Sequence, residues 1–309
     1  MNEAFTKRGL DSPRLCAEIL LSTVLGCDRL RLYMETDRPA SPAEREQLRD
    51  LARRALDHEP IQYLTGEAWF FALPMKADRR ALIPRPSTET IVEHLLQDRR
   101  RRAQAAGSGD QGLGTGDRNE ASEPGARCPV PDARRPVRIA DVCTGSGCIA
   151  VALAKNIPDA SIVATDLSRD ALALARENAA RHGVDGRIEF VEGDLLAPLA
   201  GRGAFDWIVS NPPYIPDHEW DAVEPNVKDH EPHLALRGGA DGLGLVRPVL
   251  EGSGALLAPG GGLLVEVAAC TAGDAAAIAA RAGFEGVRVL KDHEGLDRVV
   301  LASRPVPGP

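Results

Sequence analysis

Residues 137–166 read VRIADVCTGSGCIAVALAKNIPDASIVATD, and this stretch decides the fold class. Its opening residues, Val137 to Cys143, suit a buried strand, and Ile149 to Lys155 then forms a helical run. Between them lies a glycine-bearing turn, and a second apolar strand follows from Ala160 to Asp166. Two strands joined through a helix within about 30 residues form a βαβ unit, whose crossover makes the strands parallel.

The same alternation continues toward the C-terminus. A helix is predicted over Arg169 to His182, then strands in RIEFVEGD (187–194) and FDWIVS (205–210), and a helix ending near Leu257. A glycine-rich turn, Pro259-Gly260-Gly261-Gly262, precedes LLVEVA (263–268), and a helix spans Ala272 to Ala282. GVRVLKD (286–292) and RVVLAS (298–303) close the chain as an antiparallel pair at an edge. This predicts an α/β protein with an open, mostly parallel sheet covered on both faces.

Upstream the period changes. From Ser12 to about Leu64 apolar residues recur at helical spacing, as in Leu15, Ile19, Leu20 and then Leu48, Leu51, Ala52, Ala55, Leu56. Ser41-Pro42-Ala43-Glu44 reads as a helix start with a capping box. Glu67 to Ile83 loses the helical period and suggests a hairpin, and Thr88 to Leu96 returns to helix. Residues 99–136 open on Arg99 to Arg102 and hold only Leu113 and Val130 as large aliphatic residues, so they read as a flexible insertion or linker. The arginine run is read as a solvated helix end, ahead of a patch for nucleic acid or a release partner. These shifts divide the chain into a helical domain (1–66), a hairpin with connecting helix (67–98), the insertion (99–136), a sheet domain (137–304) and a tail (305–309).

Composition narrows the function. Hydrophobic residues at 43% and charged residues at 27% exclude a disordered or fibrous chain. A net charge of −8 gives no global basic footprint for nucleic acid. The six cysteines form no Cys-x-x-Cys pair, which fits a reducing compartment. Met1 to Asp11 lacks an apolar signal segment, and no membrane span is visible, so a cytoplasmic location is expected.

Three strand ends describe an adenosine pocket. Cys143-Thr144-Gly145-Ser146-Gly147 lets backbone approach a ligand at a helix N-terminus, without the Gly-Lys-Ser/Thr ending of a P-loop. Asp166 stands about 20 residues beyond the glycines, where a carboxylate takes ribose hydroxyls. Asp194 and Leu195 are placed for the exocyclic amine and the face of adenine. The fourth strand end carries Asn211-Pro212-Pro213-Tyr214. Asn211 supplies a side-chain oxygen and Pro212 a rigid carbonyl, and Tyr214 packs over a planar amino group held by both. His230-Glu231-Pro232-His233 lacks further ligands nearby, and no metal is expected. No Ser/His/Asp set stands in a nucleophile-elbow context.

These motifs resemble those of the adenosylmethionine-dependent methyltransferases that act on amino or amide nitrogens. Glu59-Pro60-Ile61-Gln62-Tyr63-Leu64-Thr65-Gly66, Leu82-Ile83-Pro84-Arg85-Pro86-Ser87-Thr88-Glu89, Glu231-Pro232 and Gly238-Gly239-Ala240-Asp241-Gly242-Leu243 narrow the resemblance to the HemK-type release factor glutamine methyltransferases. It covers nearly the whole chain outside 99–136. It implies a Rossmann-like class I methyltransferase fold with a mostly parallel seven-stranded sheet. It also implies S-adenosyl-L-methionine as cofactor and class 1 peptide chain release factors as protein partners, with methylation at the glutamine of their Gly-Gly-Gln motif. Asn211, Pro212 and Tyr214 would be catalytic, and Pro213, Arg85 and Pro86 would join them in binding substrate. The alternatives are a ribosomal-protein glutamine methyltransferase, whose relatives carry Pro-Arg-Ser-Pro in place of Pro84-Arg85-Pro86-Ser87, and an adenine methyltransferase acting on nucleic acid. Two residues depart from the family pattern: Cys143 replaces a glycine, which bears on cofactor affinity, and Ser87 replaces an aspartate.

Overall fold

The computed structural model describes residues 1–35, 37–107 and 136–308. Five helices come first: α1 (Asn2–Arg8), α2 (Pro13–Leu25), α3 (Arg29–Met34), α4 (Pro42–Leu56) and α5 (Ile61–Thr65). They close around Phe5, Leu20, Leu51, Ala55 and Leu64. Ser41 caps α4, accepting from the Glu44 N–H while the Glu44 carboxylate accepts from the Ser41 N–H, as the sequence predicts. Strands β1 (Glu67–Phe70) and β2 (Leu73–Lys76) form the expected antiparallel hairpin. Glu59 binds this region to the helices, taking Arg54 at 2.8 Å and Arg79 at 3.0 Å, and the Tyr63 hydroxyl donates to the Ala81 carbonyl at 2.9 Å.

The connecting helix α6 (Glu89–Gly107) runs past the boundary read at residue 98. Ala103, Gln104, Ala105 and Ala106 are good helix formers, and composition alone cannot separate the tail of such a helix from a polar linker. Arg99 pairs with Asp159 at 3.1 Å. The remainder of the expected insertion, 108–135, lies outside the described residues.

The sheet is built from β3 (Val137–Val142), β4 (Ala160–Asp166), β5 (Ile188–Glu192), β6 (Phe205–Ser210), a short β7–β8 pair (Ile215–Pro216 and Arg237–Gly239) that stands apart, then β9 (Leu257–Glu266), β10 (Glu285–Lys291) and β11 (Asp297–Ser303). The helices between are α7 (Cys148–Asn156), α8 (Arg169–Arg181), α9 (Pro225–Lys228), α10 (Val246–Leu256) and α11 (Ala272–Arg281). The seven strands lie in the order β10-β11-β9-β6-β3-β4-β5, and β11 alone runs against its neighbours. Alternate residues of each central strand enter opposite cores. Ile139, Trp207, Val209 and Leu264 meet α6 and α7, whereas Ala140, Ile208, Leu263 and Val265 meet α10 and α11. Burial on both faces makes these strands read as continuous apolar runs.

The glycine-rich turn expected at 259–262 is instead part of β9, with a register shift opposite Trp207. A Cβ on Gly262 would fall 2.2 Å from the Trp207 ring, so the glycine makes room for an indole lying across the strand.

The chain runs from β3 outward to β5 and then returns to β6 on the other side of β3. Strand order reverses there, and ligands bind open α/β sheets in the crevice at the carboxyl ends beside such a point. Among the described residues, no helix is long and apolar enough to cross a membrane.

Candidate active site

A cavity opens at this crevice. Cys143 to Ser146, Asp166, Asp194, Leu195, Asn211 and Pro213 line it from the sheet, and Ile83, Pro84 and Arg85 line it from the segment before α6. Thus most of the residues expected at the site come together. Gly147, Pro212, Tyr214 and Pro86 are not in the lining, although each adjoins a lining residue in the chain.

Asp141 organises the turn after β3. Its carboxylate is fully buried and accepts from the Thr144 hydroxyl at 2.6 Å and the Ala150 N–H at 3.1 Å. It thereby caps α7, whose N-cap residue Gly147 has no side chain to do so. Burial pushes the Asp141 carboxyl up to about 7, against the pull of those two donors. Gly147 has φ 78°, and a Cβ there would come within 2.9 Å of Ala175, so the glycine lets α8 pack on the turn.

Cys143 takes φ 59° and Leu195 takes φ 43°, both left-handed. Such a conformation costs a non-glycine residue about 1–2 kcal/mol, and backbone strain of this kind concentrates at ligand sites. Cys143 therefore keeps the glycine-like turn and tolerates its Cβ. Burial pushes its thiol well above the usual range, which leaves an inert packing group.

Asp166 accepts from the Gly145 N–H at 2.8 Å and the Ser168 N–H at 2.9 Å. The carboxylate thus joins turn to helix and also lines the cavity, where its remaining lone pairs suit ribose hydroxyls. Burial raises its pKa and the backbone donors lower it. The charge and shape of this cradle fit an adenosine moiety: a carboxylate at the β4 end, a second at Asp194, and the apolar Leu195 beside it.

Asn211 donates from Nδ2 to the Thr88 hydroxyl at 3.0 Å, so its Oδ1 is the end left to accept. The Tyr214 hydroxyl donates to Glu266 at 3.0 Å, and the Ile215 N–H donates to the Leu236 carbonyl at 2.9 Å, holding the tyrosine on both sides. Arg85, expected to bind substrate, lines the cavity. Its guanidinium pairs with the buried Glu231, which also accepts from the Ile83 N–H at 2.9 Å, so Arg85 braces the cavity wall. His230 and His233 turn to different carbonyls, those of Asp57 and Lys228.

Glu266, Thr88 and Asn178 were not singled out by their chemistry in the sequence. A carboxylate inside the apolar run LLVEVA is a usable signal, because a buried charge needs donors. Thr88 and Asn178 carry none, since their partners are distant in the chain.

Comparison with known proteins places the chain. The PrmC N-terminal domain family matches residues 1–66 and the methyltransferase small domain family matches residues 130–240. A release factor glutamine methyltransferase of Chlorobaculum tepidum is 39% identical over 297 residues, 95% of this chain and 91% of the relative. Another from Geobacter sulfurreducens is 39% identical over 294 residues, 95% of this chain and 90% of that one. Among solved structures, the hMettl16 catalytic domain in complex with the MAT2A 3'UTR hairpin 6 aligns with TM-score 0.52 at 14% identity, covering 77% of each chain, a likeness of fold alone. With identity of this order running from the first helices to the last strands, the chain belongs to the release factor glutamine methyltransferase family.

Proposed function

We propose that this enzyme methylates the side-chain amide nitrogen of the glutamine in the Gly-Gly-Gln motif of class 1 peptide chain release factors, with S-adenosyl-L-methionine as donor. The observation that carries the reading is the Asn211 amide, locked by Thr88 with its oxygen left to accept at the cavity. When bound, S-adenosyl-L-methionine supplies an electrophilic methyl group on a sulfonium. Cys143 to Gly147 would cradle it, with Asp166 on the ribose and Asp194 and Leu195 on the adenine.

A carboxamide nitrogen is a poor nucleophile because its lone pair is delocalised into the carbonyl, the same resonance that makes peptide bonds planar. Asn211 Oδ1 and the Pro212 carbonyl would each accept one N–H of the substrate amide, and Pro213 and Tyr214 would bound its plane. These acceptors stabilise the nitrogen most as it becomes positive, so they favour the transition state over the ground state. Alignment of the reacting atoms supplies much of the remaining rate. Residues 1–66 would grip the folded release factor, an activity that belongs in the cytoplasm.

The test is labelled methyl transfer to purified release factor, to its loop-glutamine variant, to ribosomal protein, and to DNA and RNA. Incorporation into release factor alone, lost with the glutamine and lowered about 10² in turnover by Asn211→Ala, is the expected result. Robust nucleic-acid methylation beside an inert release factor overturns the reading.

A further inference from the structure

Two leucines line the cavity and yet stay exposed, Leu167 at 53% and Leu234 at 58%. Leu167 directly follows Asp166 and so stands at the end read for the cofactor. Leu234 lies with Pro232 and Ala235 in the segment between β7 and β8, and Asn211 and Pro213 line the same cavity. An exposed leucine by itself is ordinary. This one stands on a built support. It occupies the middle of a 3-10 turn, His233–Ala235, closed by the Ala235 N–H on the Pro232 carbonyl at 2.9 Å and the Leu236 N–H on the His233 carbonyl at 3.1 Å. His233 donates from Nε2 to the Lys228 carbonyl at 2.8 Å and sets its ring edge-on to Trp220, with centroids 5.0 Å apart. On the other side Leu236 is buried. The backbone that presents Leu234 is therefore ordered before a ligand arrives, and a preordered group loses less entropy on being covered.

A glutamine that sends its amide to Asn211 carries two methylenes between that amide and its backbone, and these must cross the mouth of the cavity. The glycines before it bring no side chains to shield them. An aliphatic residue at the mouth suits such a stem, because covering apolar surface is favourable and non-directional. We propose that Leu234 is a specificity-determining residue that packs on the aliphatic stem of the target glutamine as the release factor loop enters. The inference rests on the cavity being the glutamine site, and it assigns Leu234 to binding alone.

The test uses the full chain with Leu234→Ala, Leu234→Met and Leu234→Gln, and with Leu296→Ala as an exposed leucine outside the cavity. The readouts are KM and kcat on release factor, calorimetric affinity for S-adenosyl-L-methionine, melting temperature, and the Leu234 methyl resonances, assigned by their absence in Leu234→Met. Leu234→Ala is expected to raise KM for release factor about tenfold, the worth of covering part of a leucine side chain. Its kcat, cofactor affinity and melting should stay parental, the pattern of lost uniform binding. Leu234→Met should restore KM because it keeps the apolar bulk, whereas Leu234→Gln should raise it as Ala does, because the stem would strip water from an amide. Leu296→Ala should change none of these. Release factor should shift the Leu234 methyl resonances, and its loop Gln→Gly variant should leave them near the free position. Parental KM in both Leu234→Ala and Leu234→Gln overturns the proposal, as do equal methyl shifts with the two release factors or a loss of cofactor affinity that matches the rise in KM. Should Leu234→Ala fail to fold, Leu234→Gln and the methyl shifts of the parent decide it. If the parent enzyme leaves release factor unmethylated, the functional reading fails, whereas the methyl shifts still decide whether the loop glutamine covers Leu234.

Discussion

Asn178 Nδ2 donates to the Ser146 carbonyl at 2.9 Å, so the turn that would cradle the cofactor leans on the inner face of α8. The same fully buried amide accepts from the Lys76 N–H at 2.7 Å and donates to the Lys76 carbonyl at 3.2 Å. One side chain therefore joins hairpin, helix and turn. Asn178→Ala would leave the buried Ser146 carbonyl, and the part-buried N–H and carbonyl of Lys76, without this partner, at a cost of about 2–3 kcal/mol. The melting temperature should fall by roughly 5–10 °C, with weaker cofactor binding by calorimetry. Unchanged melting would mean that the bonds are not made in solution.

Arg85 is expected to matter for stability more than for substrate. Arg85→Ala strands the buried Glu231 carboxylate, and losing one partner of a buried pair costs about 3–5 kcal/mol. A large fall in melting temperature with a modest change in KM for release factor is the expected pattern. A rise in KM with parental melting would return Arg85 to direct substrate contact.

Asp166→Ala should weaken S-adenosyl-L-methionine binding about tenfold or more, the worth of charge-assisted hydrogen bonds. Turnover at saturating cofactor should change less. Equal cofactor affinity in variant and parent would remove the ribose assignment.

Asp141 predicts a pH dependence of stability. Its folded pKa is raised to about 7 by burial, above the unfolded value near 3.9. The folded state then holds the proton more tightly, so the contribution of this group is complete below pH 4 and declines as pH rises toward 7. Asp141→Asn keeps an acceptor for Thr144 and Ala150 and cannot ionise. Relative to the parent, the variant should gain melting temperature between pH 5 and pH 8, and parallel curves for the two proteins would refute the shift.

The βαβ unit at 137–166, the later strand and helix alternation, the cap at Ser41 and the antiparallel closing strands were all legible in the sequence. Each is set by local signals: apolar runs buried on two faces, capping chemistry, and turns that need small residues. Cys143, Asp166, Asp194 and Asn211 were legible as a set because they follow strands of one parallel sheet, and topology brings such ends to one edge. The linear order of residues does not show which polar side chains are spent on one another. Arg85 is expected to bind substrate, and only folding sets the buried Glu231 against it. Asn211 reads as the source of a side-chain oxygen, but that its Nδ2 is taken by Thr88, 123 residues away, is visible only in the tertiary structure. The extent of α6 past residue 98 and the passage of β9 through its glycines were likewise decided in three dimensions. The physical reason is common to these cases: a buried polar group takes whichever partner packing brings within about 3 Å, and only the tertiary structure determines that neighbour.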